Sequence, residues 1–443
     1  MPLPFSGFTS SNKLFYILVG IIVFVFFATI IWILAGVQSR PEKSALEFWG
    51  VFDENKSLSK AIDKFESQHS GVRITYKEFS YEDYERNLID ALAAGTGPDI
   101  FMIHNTWLAK HRNKLESQPQ PTSKNEEGFI NIVDFKNQFV DVAFTDLVFQ
   151  DKIYAMPIYL DTLALFYNKS LLNSAGITTP PANWEEFNKD VELLTKFDKF
   201  GNIIQAGAAM GTARNINRST DILMLLMLQN GTRMTNVANT NATFARAVNA
   251  ERVGENALQY YVDFANPLKK VYAWNDSQHY SVDAFVEESL AMMFNYSHQV
   301  DILRSKAPRI NIGIAPIPQV TSLQASNYAN YWAPAVSVAA ENKTAAWQFI
   351  NFLSSREGAT LYLSEVLRPS ARRDIIDIQR TDPILGPFAV QALSAKSWHQ
   401  VDSIAIEKIF ADMIDDINYG RAKLGDALRN AQEKVNVLMQ KQL

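Results

Sequence analysis

The sequence predicts an α/β protein with mainly parallel sheets, preceded by one transmembrane helix. Strand-like segments alternate with amphipathic helical segments from residue 46 onward, a pattern typical of sheets covered by helices on both faces. An uncharged apolar run occupies residues 14–37. The chain has 443 residues, 47% of them hydrophobic, so the part after this run can bury the cores of two or three lobes.

The N-terminal run reads LFYILVGIIVFVFFATIIWILAGV and exceeds the roughly 20 residues that a helix needs to cross a bilayer. A cleaved signal peptide is the alternative, and the small residues Ala35 and Gly36 keep cleavage open, although its apolar region is usually about 7 to 15 residues. We expect a cytoplasmic N-terminus at 1–13, a single-pass anchor at 14–37 and a linker at 38–45.

The orientation of this helix is not decided by charge, because Lys13 lies on one side while Arg40 and Lys43 lie on the other. Long downstream domains translocate largely regardless of charge. We therefore expect the protein in the cell membrane, with the C-terminal body outside the cytoplasm.

The first part of the body reads as strand, helix, strand, helix, strand. Apolar residues alternate in the strands and recur at helical spacing in the helices, and Gly95 is placed to end the second helix. Helical spacing returns near the C-terminus, at 345–354, 404–419 and 424–438. The five early segments are 46–51, 58–65, 72–76, 81–94 and 100–103.

Two composition features exclude whole classes of chemistry. There are no cysteines, which removes disulfides, thiolate metal sites and a lipid-modified cysteine. The net charge is -5 without a long basic run, so nucleic acid is not an expected partner.

The stretch IYAMPIYLDTLALFYNKS holds two strand-like runs, 153–158 and 163–167, separated by Pro157 and Asp161. Proline cannot donate to a strand ladder and is confined to edges, strand starts or bulges. The stretch therefore fits a chain that leaves one sheet and enters another, and a hairpin or an ordinary sheet edge is the alternative.

Seven segments, in this order and spacing, resemble the extracellular solute-binding proteins of ABC importers, in particular the sugar-binding branch with the type II periplasmic-binding fold. The resemblance runs from residue 46 to about residue 374. Two departures are the missing lipidated cysteine and the pair Glu288 and Ser289 where the family often has Gly-Lys. The segments are LEFWG (46–50), AAGTGPDIFMI (93–103), YAMPIYLDTLALFYNKSLLNSAGI (154–177), PPANWEEF (180–187), AFVEESLAMMFN (284–295), IGIAPIPQ (312–319) and AAWQFINFLSS (345–355).

This resemblance implies two α/β lobes joined by crossing strands near 157–161, 327–332 and 367–370, with ligand held in the cleft between the lobes. It implies a monomer that captures a small polar solute, with carbohydrate favoured, and delivers it to ABC importer permease subunits without a cofactor. The corresponding lobes are 46–158 with 331–367, and 163–326 with 370–443.

Sugar sites combine aromatic platforms with planar hydrogen-bonding side chains, and sites in such folds lie beyond the carboxyl ends of strands. Trp332, in the second crossing, is the favoured platform, and Asp161 could accept two hydroxyl bonds or stabilise the hinge. Arg368 could clamp hydroxyls or form an ion pair between lobes. The expected ligand-binding residues are Trp49, Asn105, Trp107, Tyr159, Asp161, Trp274, Asn295, Tyr296, Trp332 and Arg368.

Structural roles compete for several of these residues. Trp49, near the end of the first strand, could be a core tryptophan, and Asn105 could cap the next helix. Trp274 could serve local loop packing. Asn295 and Tyr296 follow the strand LAMMF and precede a helix expected near residue 297.

Two other functions remain open on the sequence. A ligand-sensing receptor subunit could use the same fold, with a signalling partner instead of a permease. An anchored glycan hydrolase is less favoured because HExxH, GxSxG and P-loop motifs are absent. The pairs His104 with His111 and Glu287 with Glu288 are more typical of surface positions, so we expect neither catalytic nor metal-binding residues.

Overall fold

The computed structural model describes residues 10–36, 44–121, 128–321 and 325–441. Of the predicted segments, residues 1–9 of the cytoplasmic N-terminus, Val37 of the anchor and residues 38–43 of the linker lie outside these ranges. Residues 322–324 and 442–443, predicted in the second lobe, also lie outside them.

The strands fall into two large sheets and two small ones. In chain order they are β1 Ser44–Val51, β2 Val72–Phe79, β3 Ile100–His104, β4 Leu115–Glu116, β5 Val148–Phe149, β6 Lys152–Ile153, β7 Asp161–Thr162, β8 Ala164–Asn168, β9 Lys196–Phe197, β10 Ile203–Ala208, β11 Leu290–Asn295, β12 Ile312–Ala315, β13 Asn327–Asn330, β14 Trp332–Ser337 and β15 Ala395–Lys396.

The helices cover the faces of both large sheets. In chain order they are α1 Ser10–Gly36, α2 Asn55–Gln68, α3 Tyr81–Ala93, α4 Leu108–His111, α5 Ile132–Gln138, α6 Asp141–Leu147, α7 Lys169–Ser174, α8 Trp184–Leu194, α9 Ser219–Gln229, α10 Val253–Asp263, α11 Ser281–Val286, α12 Gln299–Lys306, α13 Lys343–Ser354, α14 Arg356–Leu363, α15 Arg373–Gln379, α16 Leu385–Ala392, α17 Ser403–Asn418 and α18 Leu424–Gln440.

The first sheet has the strand order β2-β1-β3-β14-β4. β1 is parallel to both β2 and β3, whereas β14 is antiparallel to β3 and pairs Trp332 with His104. The ends of β1 and β3 and the start of β14 therefore meet at one edge of the sheet. This edge faces the second lobe.

The second sheet has the order β12-β8-β11-β10-β9, with β10 parallel to β11 and β8 antiparallel to β11. A three-stranded sheet, β15-β13-β7, lies between the two large ones and pairs Asn330 with Asp161. Two crossing segments thus run side by side, since β7 leads into β8 and β13 leads into β14.

Each large sheet has its own apolar core. The first contains Phe48, Phe101 and Trp347, and the second contains Phe187 and Phe294. Full burial of one such side chain contributes about 1.5–3 kcal/mol, so each core can stabilise its lobe separately.

The lobe boundary near the C-terminus differs from the predicted one. The sequence assigned 370–443 to the second lobe, but Ala371, Ile375 and Ile376 pack in the first core. Phe388 and Phe410 pack in the second core. The segment from Ala371 to Ile376 therefore belongs to the first lobe, and α16 contacts both cores, since its Ala389 and Ala392 pack in the first.

Most predicted elements form, with one clear exception. Gly95 has a φ of +72° directly after α3, as expected of a residue that ends a helix. The predicted strand 153–158 is wrong beyond Ile153, because Pro157 cannot donate to a ladder. Isolated bridges replace the strand there, with Ala155 opposite Ala335 and Tyr159 opposite Ser370.

The N-terminal helix α1 spans Ser10–Gly36, and the side chains of residues 15–29 are exposed. Over the described parts of the chain, no helix meets both the length and the hydropathy needed to span a bilayer. The predicted membrane span over 14–37 is therefore not confirmed.

Candidate ligand-binding cleft

A cavity of about 490 Å³ opens between the two large sheets, beside the crossing strands. Both lobes and all three predicted crossings contribute to its wall. We call this cavity the cleft. Its lining residues are Phe52, Asp53, Glu54, Lys56, Ser57, Tyr159, Asp161, Arg218, Tyr296, His298, Asp301, Ile302, Asn330, Trp332, Glu365, Val366, Leu367 and Arg368.

A buried ion pair forms one end of the cleft. Asp53 follows β1, and its Oδ1 accepts a hydrogen bond of 2.9 Å from the Arg368 guanidinium. The Tyr362 hydroxyl donates to the same carboxylate at 3.0 Å, and the guanidinium lies 4.4 Å from the ring centre of Tyr159. Burial raises the pKa of Asp53, while Arg368 and Tyr362 oppose that rise. The guanidinium is thus largely committed to protein partners.

Asp161 joins the first crossing to the second lobe. Its Oδ2 accepts from the backbone N–H of Ser297 at 2.8 Å and from the Ser297 hydroxyl at 2.6 Å, and its Oδ1 accepts from the N–H of Thr162 at 2.9 Å. Burial raises the pKa of Asp161 to about 6 against these bonds. The carboxylate therefore ties the crossing to the turn before α12.

Arg218 supplies the cationic group from the second lobe. It precedes α9 with a φ of +65°, a left-handed conformation that is rare for residues with a side chain and that clusters at functional sites. Its guanidinium lies 5.4 Å from the ring centre of Tyr296, whose hydroxyl donates to Asp221 at 2.8 Å. The Nε of Arg218 is buried without a hydrogen-bond partner. Arg218 therefore lines the cleft with one hydrogen-bond donor that no protein group satisfies.

The aromatic surface of the cleft comes mainly from Phe52. Phe52 is 49% exposed and also has a left-handed φ of +68°. Its ring stacks on Tyr81, which is 43% exposed, at 5.5 Å between centroids. Trp332 lines the cleft but is only 4% exposed, and the Trp107 ring lies 4.9 Å away. Among the aromatic residues that line the cleft, Phe52 is thus far more exposed than Trp332, the predicted platform.

Two histidines beside the cleft are held neutral. Burial, together with the charges of Arg218 and Arg368, lowers the pKa of His298 to about 3. Burial likewise lowers the pKa of His104 to about 4. The His298 side chain can therefore exchange hydrogen bonds with a neutral hydroxyl across the physiological pH range.

The structure brings five of the predicted binding residues to the cleft wall. These five are Tyr159, Asp161, Tyr296, Trp332 and Arg368. All of them lie in a crossing segment or directly after β11. Their contact with a ligand remains a prediction.

The other predicted residues lie elsewhere for identifiable reasons. Trp49 donates to Glu47 at 2.7 Å and packs against the ring of Phe79, and Trp274 is buried in the second core, where it donates to Asn215. The structure also places Trp107, Asn295 and Asn105 away from the cleft. Trp107 packs behind Trp332, Asn295 is fully buried with its Oδ1 accepting from the next N–H, and Asn105 lines a second cavity.

Sequence reasoning missed Phe52, Asp53, Arg218 and His298. Asp53 and Phe52 follow the first strand directly, so the rule that sites lie beyond strand ends could have found them. Arg218 follows β10 only after a long connection, and no local pattern marks its approach to the cleft. Among the described residues, no cluster of histidine and acidic side chains could hold a metal ion.

Comparison with known proteins agrees with this geometry. Residues 49–360 match the sequence profile described as bacterial extracellular solute-binding protein. A binding protein of Brucella abortus (strain 2308) is 22% identical over 390 residues, which cover 85% of this chain and 88% of the relative.

Two solved structures share the fold. The sugar-binding protein MalE from Xanthomonas citri aligns with a TM-score of 0.73 at 19% identity, over 90% of this chain and 98% of that one. A solute-binding protein from Thermotoga lettingae, bound with α-D-tagatose, aligns with a TM-score of 0.70 at 20% identity, over 89% of this chain and all of that one. Both matches confirm the two-lobed α/β fold.

These matches confirm the resemblance seen in the sequence. The family consists of binding proteins rather than enzymes, and its extracellular character supports a location outside the cytoplasm. The profile covers well over half of the chain and includes residues from both cores and the cleft. The chain belongs to the bacterial extracellular solute-binding protein family.

Proposed function

We propose that the protein captures a sugar in the cleft and delivers it to an ABC importer. The observation that carries this proposal is that the exposed aromatic residue Phe52 and Arg218, whose Nε is buried without a hydrogen-bond partner, line the same cavity. Sugars present apolar C–H faces together with hydroxyls, and such a pair of groups matches both. The charges of Asp53 and Arg368 largely neutralise each other, which favours a neutral solute.

The relatives add support for a sugar. The structures from Xanthomonas citri and Thermotoga lettingae are a sugar-binding protein and a protein bound with tagatose. Their low identity supports the fold more strongly than the ligand. The proposal therefore specifies a carbohydrate and leaves its size open between mono- and oligosaccharide.

A thermal-unfolding screen of the full chain tests this proposal. The probes are neutral sugars and polyols, with amino acids as the contrasting class. A ligand at 100 times its dissociation constant should stabilise the fold by about 2.7 kcal/mol. A sugar that raises the unfolding temperature of the wild type should do so less in Arg218→Gln. A response to amino acids alone would contradict the proposal.

Closure of the two lobes would couple capture to delivery. The two lobes already touch through α4 and the start of α17, since Trp107 donates to Ser403 at 3.3 Å and Lys110 pairs with Asp402 at 3.0 Å. A sugar favours closure only by its difference in affinity for the open and closed forms. Small-angle scattering with a bound sugar should show a smaller radius of gyration, and an unchanged radius would contradict this step.

We also propose that the N-terminal helix attaches the protein to the membrane. The support is the uncharged apolar sequence of 14–37 and the exposure of side chains 15–29. After expression in a bacterium, the full chain should stay with membranes through an alkaline carbonate wash, whereas a chain starting at Ser44 should not. Release of both chains by the wash would contradict attachment.

A further inference from the structure

A second cavity, of about 730 Å³, also lies between the two lobes. The first lobe contributes Leu108 of α4, Arg112 directly after it, and Asp146 near the end of α6. The second lobe contributes the loop after α9, with Arg233 and Met234. This cavity shares no lining residue with the cleft. We call it the rear cavity.

The crossing strand separates the two cavities. Asn330 and Trp332 line the cleft, whereas the hydroxyl of the intervening Tyr331 donates at 3.0 Å to Asp146 in the wall of the rear cavity. Alternate side chains of an extended strand point to opposite sides. The rear cavity is therefore on the far side of the strand from the cleft.

The open charges of the rear cavity are positive. Arg112 and Arg233 are both exposed, and neither pairs with a carboxylate among the described residues. His399 also lines the cavity, and the charge of Arg112 contributes to lowering its pKa, after burial. Arg112 lies 3.9 Å from the ring centre of Phe149, which holds its guanidinium at the wall. These groups favour an anion.

The acid in the rear cavity wall is already occupied. Asp146 accepts hydrogen bonds from Asn105, Tyr331 and Ser397, so its carboxylate has few free positions for a ligand. It holds the first lobe to the segment after β15. These donors partly screen the negative charge of Asp146. The electrostatic potential of the rear cavity is therefore set mainly by Arg112 and Arg233.

One polar atom in the rear cavity lacks a partner. Asn105 is 3% exposed and donates from Nδ2 to Asp146 at 3.0 Å, but its Oδ1 is buried without a hydrogen bond. An unpaired buried acceptor costs about 1–3 kcal/mol. A ligand hydroxyl could satisfy it, while Phe149 and Met234 supply apolar surface for a carbon chain.

We propose that the rear cavity binds a hydroxylated organic anion, with its oxyanion facing Arg112 and Arg233 and a hydroxyl donating to Oδ1 of Asn105. Sugar acids and sugar phosphates both have this chemistry. The site is separate from the cleft, and its ligand differs from the neutral sugar proposed there by its charge. Binding at one cavity does not require the other to be filled.

Isothermal titration of the full chain with gluconate and with glucose 6-phosphate tests the proposal and distinguishes a carboxylate from a phosphate. At least one of them should bind saturably at one site per chain, and hexanoate, which lacks hydroxyls, should bind at least tenfold more weakly. Equal affinity for hexanoate, or binding of neither hydroxylated anion with a dissociation constant below about 1 mM, equivalent to about -4.1 kcal/mol, would overturn the proposal.

Variants locate the site. The double variant Arg112→Gln with Arg233→Gln should lower anion affinity at least tenfold while its thermal unfolding stays cooperative. The matched control is Arg309→Gln, an exposed arginine outside both cavities, which should leave the affinity unchanged. Loss of anion binding in the cleft variant Arg218→Gln, with the double variant unaffected, would place the anion in the cleft and overturn the proposal.

Discussion

The cleft and the rear cavity are both built from two lobes, yet they hold their charges differently. In the cleft, Arg368 donates to Asp53 and Asp161 accepts from Ser297, so these three charged groups are bonded within the protein, whereas Arg218 keeps an unpartnered Nε. In the rear cavity, neither Arg112 nor Arg233 pairs with a carboxylate among the described residues. The difference indicates that a charged residue in the wall of a site does not by itself select a charged ligand, because its charge can already be bonded to another protein group.

Loss of the cleft arginine should have the largest effect. Arg368→Ala leaves Asp53 buried without its cation, which should reduce the free energy of unfolding by about 3–5 kcal/mol. Arg112→Ala in the rear cavity removes only a contact with Phe149 and should cost less than about 1 kcal/mol. Urea unfolding measures both variants. Similar decreases in the free energy of unfolding for the two variants would contradict the distinction between a paired arginine in the cleft and an unpaired one in the rear cavity.

The pH dependence of the free energy of unfolding should report on Asp161, the buried acid of the first crossing segment. Folding raises the pKa of Asp161 from 3.8 to about 6, so the folded protein binds this proton more tightly than the unfolded chain does. The contribution of the bound proton to the free energy of unfolding is therefore complete below pH 3.8. It is lost as the pH rises through 6, and the loss is at most about 3 kcal/mol.

Comparison with Asp161→Asn isolates this contribution. As the pH rises from 4 to 7, the unfolding free energy of the wild type should fall relative to that of Asp161→Asn. Asp63→Asn, at an exposed position on α2, serves as the control and should run parallel to the wild type. Parallel profiles for Asp161→Asn would show that its carboxylate is not the titrating group.

Phe52, the exposed aromatic residue of the cleft, should make a smaller contribution, and this contribution should affect sugar affinity. Phe52→Ala removes the ring and should weaken binding of a cleft sugar by about tenfold, since aromatic contacts contribute about 0.5–1.5 kcal/mol beyond burial. Calorimetry with a sugar identified in the screen measures this loss. Unchanged sugar affinity in a folded Phe52→Ala protein would assign the ring a structural role.

The predicted tryptophan outside the cleft should have the smallest effect. Trp49→Phe changes a ring that packs against Phe79 and does not line the cleft, so sugar affinity should stay within about twofold. The same calorimetric assay measures it beside Phe52→Ala. A tenfold loss of sugar affinity in Trp49→Phe would mean that the ligand reaches beyond the observed cavity and that Trp49 contacts it, as the sequence predicted.

The sequence by itself determined the alternation of strands and helices, the resemblance to the family and the importance of the crossing segments. Periodicity encodes which face of a segment is buried, and Pro157 encodes a break in the ladder. The five predicted residues that line the cleft all lie in such segments or directly after β11. These signals are local, so one sequence is enough to detect them.

Only the tertiary structure decided which aromatic is exposed and which charges are paired. Trp332 and Phe52 both lie at strand ends, but neighbouring rings bury the first and leave half of the second open. Asp53 meets Arg368 across 315 positions of the chain. Exposure and pairing depend on neighbours brought together by folding, and the spacing of residues along one chain does not contain them.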